Sequence, residues 1–204
     1  MTYGEVVEML KEKSEKQKQT EPSSGIDPKS DVEKRFSDLN EIARFIGEDA
    51  ILADELYQSD DESLKILAVL IDIPKSYTKD ELYKRCEDLE ITECGEKFCE
   101  KIIAHSTYAV QLVDEWSMLK NSVSKRAFAY YILGELAKIK NKISDDFFAN
   151  YIEIIRKEIF TEPEEVKKAM NKALIRMTGR DKKVQELGKS ALKEIKEQLD
   201  FISN

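Results

Sequence analysis

Three carboxylates stand at helical spacing near the middle of the chain: Glu93, Glu96 and Glu100, at i, i+3 and i+7. On one helix they would share a face. A carboxylate held in a cleft can move a proton or stabilise a cation that develops during a reaction. The same three residues also fit an exposed, charge-laced face, because Lys97 follows Glu93 by four positions and Lys101 follows Lys97 by four. A second pattern is cationic. Residues 167–183 hold Lys167, Lys168, Lys172, Arg176, Arg180, Lys182 and Lys183 against the single acid Asp181. That is a local charge of +6 in a chain whose formal net charge is -8. Lys168, Lys172 and Arg176 succeed one another by four and form one stripe. A stripe of this kind either contacts phosphates or balances acidic neighbours. The overall charge repels nucleic acid at long range, so any such binding has to be local.

Other chemistries have no residues to carry them. Cys86, Cys94 and Cys99 lack a CxxC spacing and His105 is the only histidine, so no metal site is expected. An odd number of cysteines suits reduced thiols, and a cytoplasmic location is expected. There is no glycine-rich phosphate loop and no nucleophile paired with a base, so no cofactor is expected. No apolar run approaches the roughly 18–20 residues of a membrane helix, and the charged start of the chain does not read as a signal peptide. Trp116 lies on an apolar face with Leu112 and Val113 and reads as core. His105 sits at a helix end, where a cation meets the C-terminal dipole.

These side chains need helices to position them. Charged residues make up 36% of the chain, with only 7 Gly and 4 Pro, which favours helices throughout. Ser59 with Glu62, Thr78 with Glu81, and Thr161 with Glu164 each have capping-box spacing. Pro163 suits a first helical turn, and Gly179 suits a stop after Thr178. Val166, Ala169, Met170, Ala173, Leu174 and Met177 form one apolar stripe. The segment from Ser122 to Lys138 is apolar on several faces, as a buried helix would be. Ten or eleven helices are expected, with a mobile loop over residues 20–29, which hold Pro22, Gly25 and Pro28. Basic residues recur at the start of apolar helices, at Lys65, at Lys125 and Arg126, and at Lys167 and Lys168. Their separations are irregular, on the order of the ~40–47 residues of stacked helix pairs or a multiple of it, and a generic helical bundle fits them as well.

Residues 64–75 resemble the "R-x-L-A-x-x-L-x-D-P-K" stretch of the AlkD-like DNA alkylation-repair glycosylases. Residues 87–99 are similar to that family's "E-D-F-D-S-W-D-L-C-D-Q-L-C", residues 146–155 to its "D-E-F-F-x-x-Y-L-x-L-I", and residues 166–175 to its "V-R-K-A-M-N-W-A-L-I". The blocks run in order from about Phe36 to the C-terminus. The resemblance implies one domain over residues 1–204, a right-handed α–α superhelix of HEAT-like helix pairs that holds duplex DNA on a concave basic face. It also implies excision of alkylated purines by an aspartate between two tryptophans, whose negative charge and ring faces attract cations. Here Thr92 and Lys172 stand at the tryptophan positions and Glu96 at the catalytic aspartate, with Glu93 beside it. The family's phosphate-contacting helices occupy the places of Lys168, Lys172 and Arg176, so Lys172 would change role from aromatic wall to phosphate contact. Lys65, Lys125 and Arg126 fall at helix starts that resemble the family's basic positions. Three functions follow as expectations: a DNA-binding protein without ordinary glycosylase activity, an active glycosylase that uses Glu96, or a non-enzymatic scaffold for a protein partner.

Overall fold

The computed structural model describes the backbone of residues 1–20, 28–74, 77–139 and 143–202. Among the described residues there are eleven α-helices, two short 3-10 turns and no strand, which establishes the all-α class. Of the expected loop, residues 21–27 lie outside the described residues; Thr20 ends the first helix, and Pro28 and Lys29 already belong to the second. The chain divides into two compact units, residues 1–76 and 77–204.

The first unit holds α1 (Tyr3–Thr20), α2 (Pro28–Ile46), α3 (Ala50–Tyr57) and α4 (Glu62–Ile71). Its core is built from Leu39 and Ile42 of α2, Leu52 and Leu56 of α3, and Ile66, Leu67 and Val69 of α4, all at most 3% exposed. Gly47 turns the chain after α2 at φ +78°, a conformation that costs glycine nothing and other residues about 1 kcal/mol or more. Asp49 then caps α3, its carboxylate accepting from Leu52 N–H at 3.0 Å. The Asp49 amide donates to Ile71 O at 2.8 Å and ties the start of α3 to the end of α4.

The second unit holds α5 (Lys79–Leu89), α6 (Glu93–Lys101), α7 (Ala109–Ser117), α8 (Val123–Lys138), α9 (Asp145–Glu158), α10 (Glu164–Met177) and α11 (Lys182–Ile202). Helix α8 is its axis. Eleven of its residues, Arg126 to Gly134 with Leu136 and Ala137, are buried, and it packs on α6, α7 and α10. The multi-faced apolar pattern has this cause. Trp116 is 0% exposed, a core residue as expected. At Gly134 an added Cβ would stand 3.0 Å from Arg176 Cδ and 3.1 Å from Ala173 Cα. The missing side chain lets α10 lie close on α8 and seats the arginine stem between them.

Capping follows the expectation at one site of three. Thr78 and Glu81 form the reciprocal box, with Thr78 N–H donating to Glu81 Oε2 at 2.7 Å. At α4 the cap is Asp61, which accepts from Ser63 N–H at 2.8 Å, and the Ser59 hydroxyl accepts from Asp61 N–H instead. At α10 the cap position is Pro163 with no side-chain cap, while the Thr161 hydroxyl turns back to donate to Glu158 O at 3.0 Å. Proline fixes an extended lead-in to the helix, so Thr161 lies too early to serve it. Helix α10 stops where Gly179 implied, with Thr178 as its C-cap.

Candidate functional site

Helices α6, α8 and α10 bring together residues that lie up to 84 positions apart, from Glu93 to Met177. Helix α6 is short and closely fitted. Thr92 caps it, accepting from Gly95 N–H at 3.2 Å and donating to Leu89 O at 2.8 Å. A Cβ on Gly95 would collide with the Glu90 carbonyl oxygen and stand 3.1 Å from the Phe128 ring, so glycine is what allows α6 to lie this close. Glu90 itself adopts φ +50°, a region that strains any residue with a Cβ.

This seating aims Glu96 and Glu100 at α10. Lys172 is in ion-pair contact with Glu96 and 3.7 Å from Glu100. Arg176 pairs with Glu100 and lies 3.9 Å from Glu135 of α8. Lys97 donates to Glu100 at 3.1 Å, and the Lys172 amine stands 5.6 Å from the centre of the Tyr131 ring. The cluster is layered by depth. Glu100 is 6% exposed at its side chain, Arg176 15%, Glu96 21% and Lys172 40%.

The electrostatics follow from this layering. Burial alone would raise the Glu100 carboxyl, but the Arg176 hydrogen bond and the Lys97 and Arg176 charges outweigh it and hold it below the usual range. Burial, helped by the Arg176 cation and opposed by Glu93, draws the Lys172 amine down to about 8. Burial raises the Tyr131 hydroxyl, and it raises the Cys99 thiol well above its ordinary value, assisted by neighbouring Cys86. That cysteine is inert toward chemistry that needs a thiolate.

The expected solvated face of α6 is corrected at Glu100, which is buried, with Arg176 and Lys172 of α10 and Lys97 of its own helix as its cations. Helix α6 ends at Lys101, before a 3-10 turn at Ile103–His105.

The six expected phosphate-contacting cations have different surroundings. Lys168 is exposed on α10 with no ion pair among the described residues. Lys172 and Arg176 belong to the cluster. Lys125 donates to Glu87 at 2.9 Å and stands 4.9 Å from the centre of the Tyr83 ring, on an open cleft of ≈ 680 Å³ that also exposes Glu90 and Glu165. Lys65 is half-buried in the first unit. Arg126 is 4% exposed and forms a two-pronged pair with Glu162, Nη2 to Oε1 at 2.6 Å, with further bonds to Glu158 at 3.1 Å and Ser117 O at 3.2 Å. Its guanidinium has no surface to offer a phosphate. Farther along the cationic stretch, Arg180 is 3.4 Å from Asp145 and lies over the Phe148 ring, and Lys183 donates to Asp146 at 2.7 Å. Internal carboxylates thus balance four of the seven cations. Tyr131 and Glu135 join the cluster without a local sequence signal, since on α8 they read as core and edge.

These elements define an all-α protein of HEAT-like repeats. No family model and no curated protein matches the sequence. The fold matches a solved structure described as "a new family of proteins related to the HEAT-like repeat DNA glycosylases with affinity for branched DNA structures". The TM-score is 0.71 at 19% identity, over 96% of this chain and 83% of the other. At that identity the likeness establishes the fold, which is the fold the sequence resemblance implied.

Proposed function

We propose that this protein binds branched DNA through phosphate contacts and does not excise alkylated bases. The observation that carries the reading is the fold match over 96% of the chain to a protein family with affinity for branched DNA. Lys168 is the exposed cation of α10 best placed for a phosphate, with Lys172 one turn on. The site chemistry argues against ordinary excision. A carboxylate that stabilises a developing sugar cation has to be free to do so. Glu96 instead faces the Lys172 ammonium, and no tryptophan stands beside it. A cation at that spot repels a cationic purine and the transition state derived from it.

The test is a titration of a labelled four-way junction and of a linear duplex of equal length. The reading expects tighter binding to the junction, weakening steeply with salt. It also expects no base release from a duplex carrying N7-methylguanine. Absence of junction affinity would leave a protein-binding scaffold, the role that the net charge of -8 favours.

A further inference from the structure

Phosphate binding explains Lys168 but not the setting of Lys172. A lysine that only attracts phosphate does best fully hydrated and fully charged. Lys172 is half sunk between α6 and α8, and that burial draws its amine down to about 8. We propose that Lys172 is the nucleophilic amine of an aldehyde-binding site, and that its ligand is the ring-opened deoxyribose of an abasic nucleotide in bound DNA. The ligand rests on the DNA-binding reading; the amine site itself does not.

An amine that condenses with an aldehyde has to be reachable, able to shed a proton near neutral pH, and placed beside an acid–base group. Lys172 is reachable, with 40% of its side chain exposed, against 15% for Arg176 beneath it. Burial and the Arg176 cation draw the Lys172 amine down to about 8, so it sheds its proton more readily than an ordinary lysine. The acid–base group is Glu96, in contact with the amine and itself partly open to solvent. The charged and titratable groups around Lys172 are Glu93, Glu96 and Glu100 from α6, Tyr131 from α8, and Lys168 and Arg176 on its own helix.

The chemistry balances within this set. Glu96 takes a proton from the Lys172 ammonium, and the neutral Nζ adds to the C1′ carbonyl carbon. The carbonyl oxygen leaves as water, with protons relayed through Glu96. The C1′–N double bond that forms keeps one proton on nitrogen, so the product is a cation where the ammonium was. The Glu96 and Glu100 contacts and the attraction to the Tyr131 ring therefore persist through the reaction. Lys168, one turn earlier, exposed and without an ion pair among the described residues, stands where it can hold a phosphate flanking the abasic sugar.

The test uses the full chain with 2-deoxyribose 5-phosphate and cyanoborohydride, which reduces imines to stable adducts, followed by peptide mass mapping. Lys172 is expected to label at least ~10-fold faster than Lys168 or Lys182, with a rate that rises through a midpoint near pH 8. Lys172→Arg is expected to remove this fast label, and Glu96→Gln to slow it several-fold with the thermal midpoint little changed. Labelling of Lys172 no faster than of Lys168 would overturn the site, whatever the protein does with DNA. A second arm traps the protein on a four-way junction carrying one abasic site. Fast sugar-phosphate labelling without trapping on a junction that binds would overturn the abasic ligand. Absent junction binding with fast labelling would overturn the DNA reading and keep the amine.

Discussion

Two arginine–glutamate clusters share helix α8, and their difference is one of depth. In the first, Arg126 is 4% exposed and Glu162 is 5% exposed at its side chain, with Lys120 and Glu158 at the rim. The forked guanidinium meets the carboxylate with two bonds and reaches Ser117 O with a third contact. The guanidinium has no open face, while the outer Lys120–Glu158 pair is well exposed, at 61% and 36%. In the second, Glu100 and Arg176 form a similar buried base, and the outer Glu96–Lys172 pair is set deeper, at 21% and 40%. The residue types are the same, so composition does not separate a fastener from a site. The distinguishing feature is the outer pair, open to water in the first cluster and partly desolvated yet reachable in the second, the setting in which proton affinities shift and ligands gain access.

The largest expected effect comes from breaking the first cluster. Glu162→Ala leaves the Arg126 cation buried with Glu158 as its remaining carboxylate, and a loss of about 3–5 kcal/mol is expected from denaturant unfolding. A loss under about 1 kcal/mol would put both clusters on one footing. Glu100→Gln should cost less, about 2 kcal/mol, because Arg176 keeps Glu135 nearby. Its deficit should depend on pH. The folded carboxyl lies below its unfolded value of 4.5, so its contribution is present above about pH 4.5 and is lost as pH falls through the folded value. Wild type and variant should therefore converge in acid, and a constant gap would contradict the assignment.

Lys172→Met is expected to change stability by under about 1 kcal/mol at pH 7, since a half-exposed ammonium under a desolvation penalty contributes little. The sign is opposite to that of Glu100. A base whose folded value, about 8, lies below its unfolded 10.5 disfavours folding below pH 8, and that penalty is relieved as pH rises between the two. Wild type should gain stability relative to the variant over that window. The smallest stability effect is expected for Lys168→Glu, within about 0.5 kcal/mol of wild type. Its junction affinity should nonetheless fall, with the slope of log K against log salt reduced by about one.

Helical class, the buried run of α8 and the boundary at Gly179 were legible because they rest on local periodicity and on residues with few conformational options. The cap of α10 was not, because Thr161 and Glu164 have the right spacing while Pro163 between them sets the actual start. The cationic stretch was legible as charge, but the carboxylates that balance four of its seven cations were not. Arg180 and Lys183 meet Asp145 and Asp146, more than thirty positions away, and no window of sequence contains both partners. The same holds for Arg126 with Glu162. Glu96 and Lys172 were each singled out from the sequence, but as an altered catalytic carboxylate and an altered wall. Their contact across α6 and α10 is a tertiary fact.

The most direct test of the central claim is fluorescence anisotropy of a four-way junction and an equal-length duplex, at about 150 mM salt, where exposed charges are screened. Wild type, Lys168→Glu and Lys172→Met would be compared. The account predicts a clear preference of the wild type for the junction, weakened in both variants while their thermal midpoints stay close to wild type. Junction and duplex bound alike, or a preference untouched by both substitutions, would contradict it.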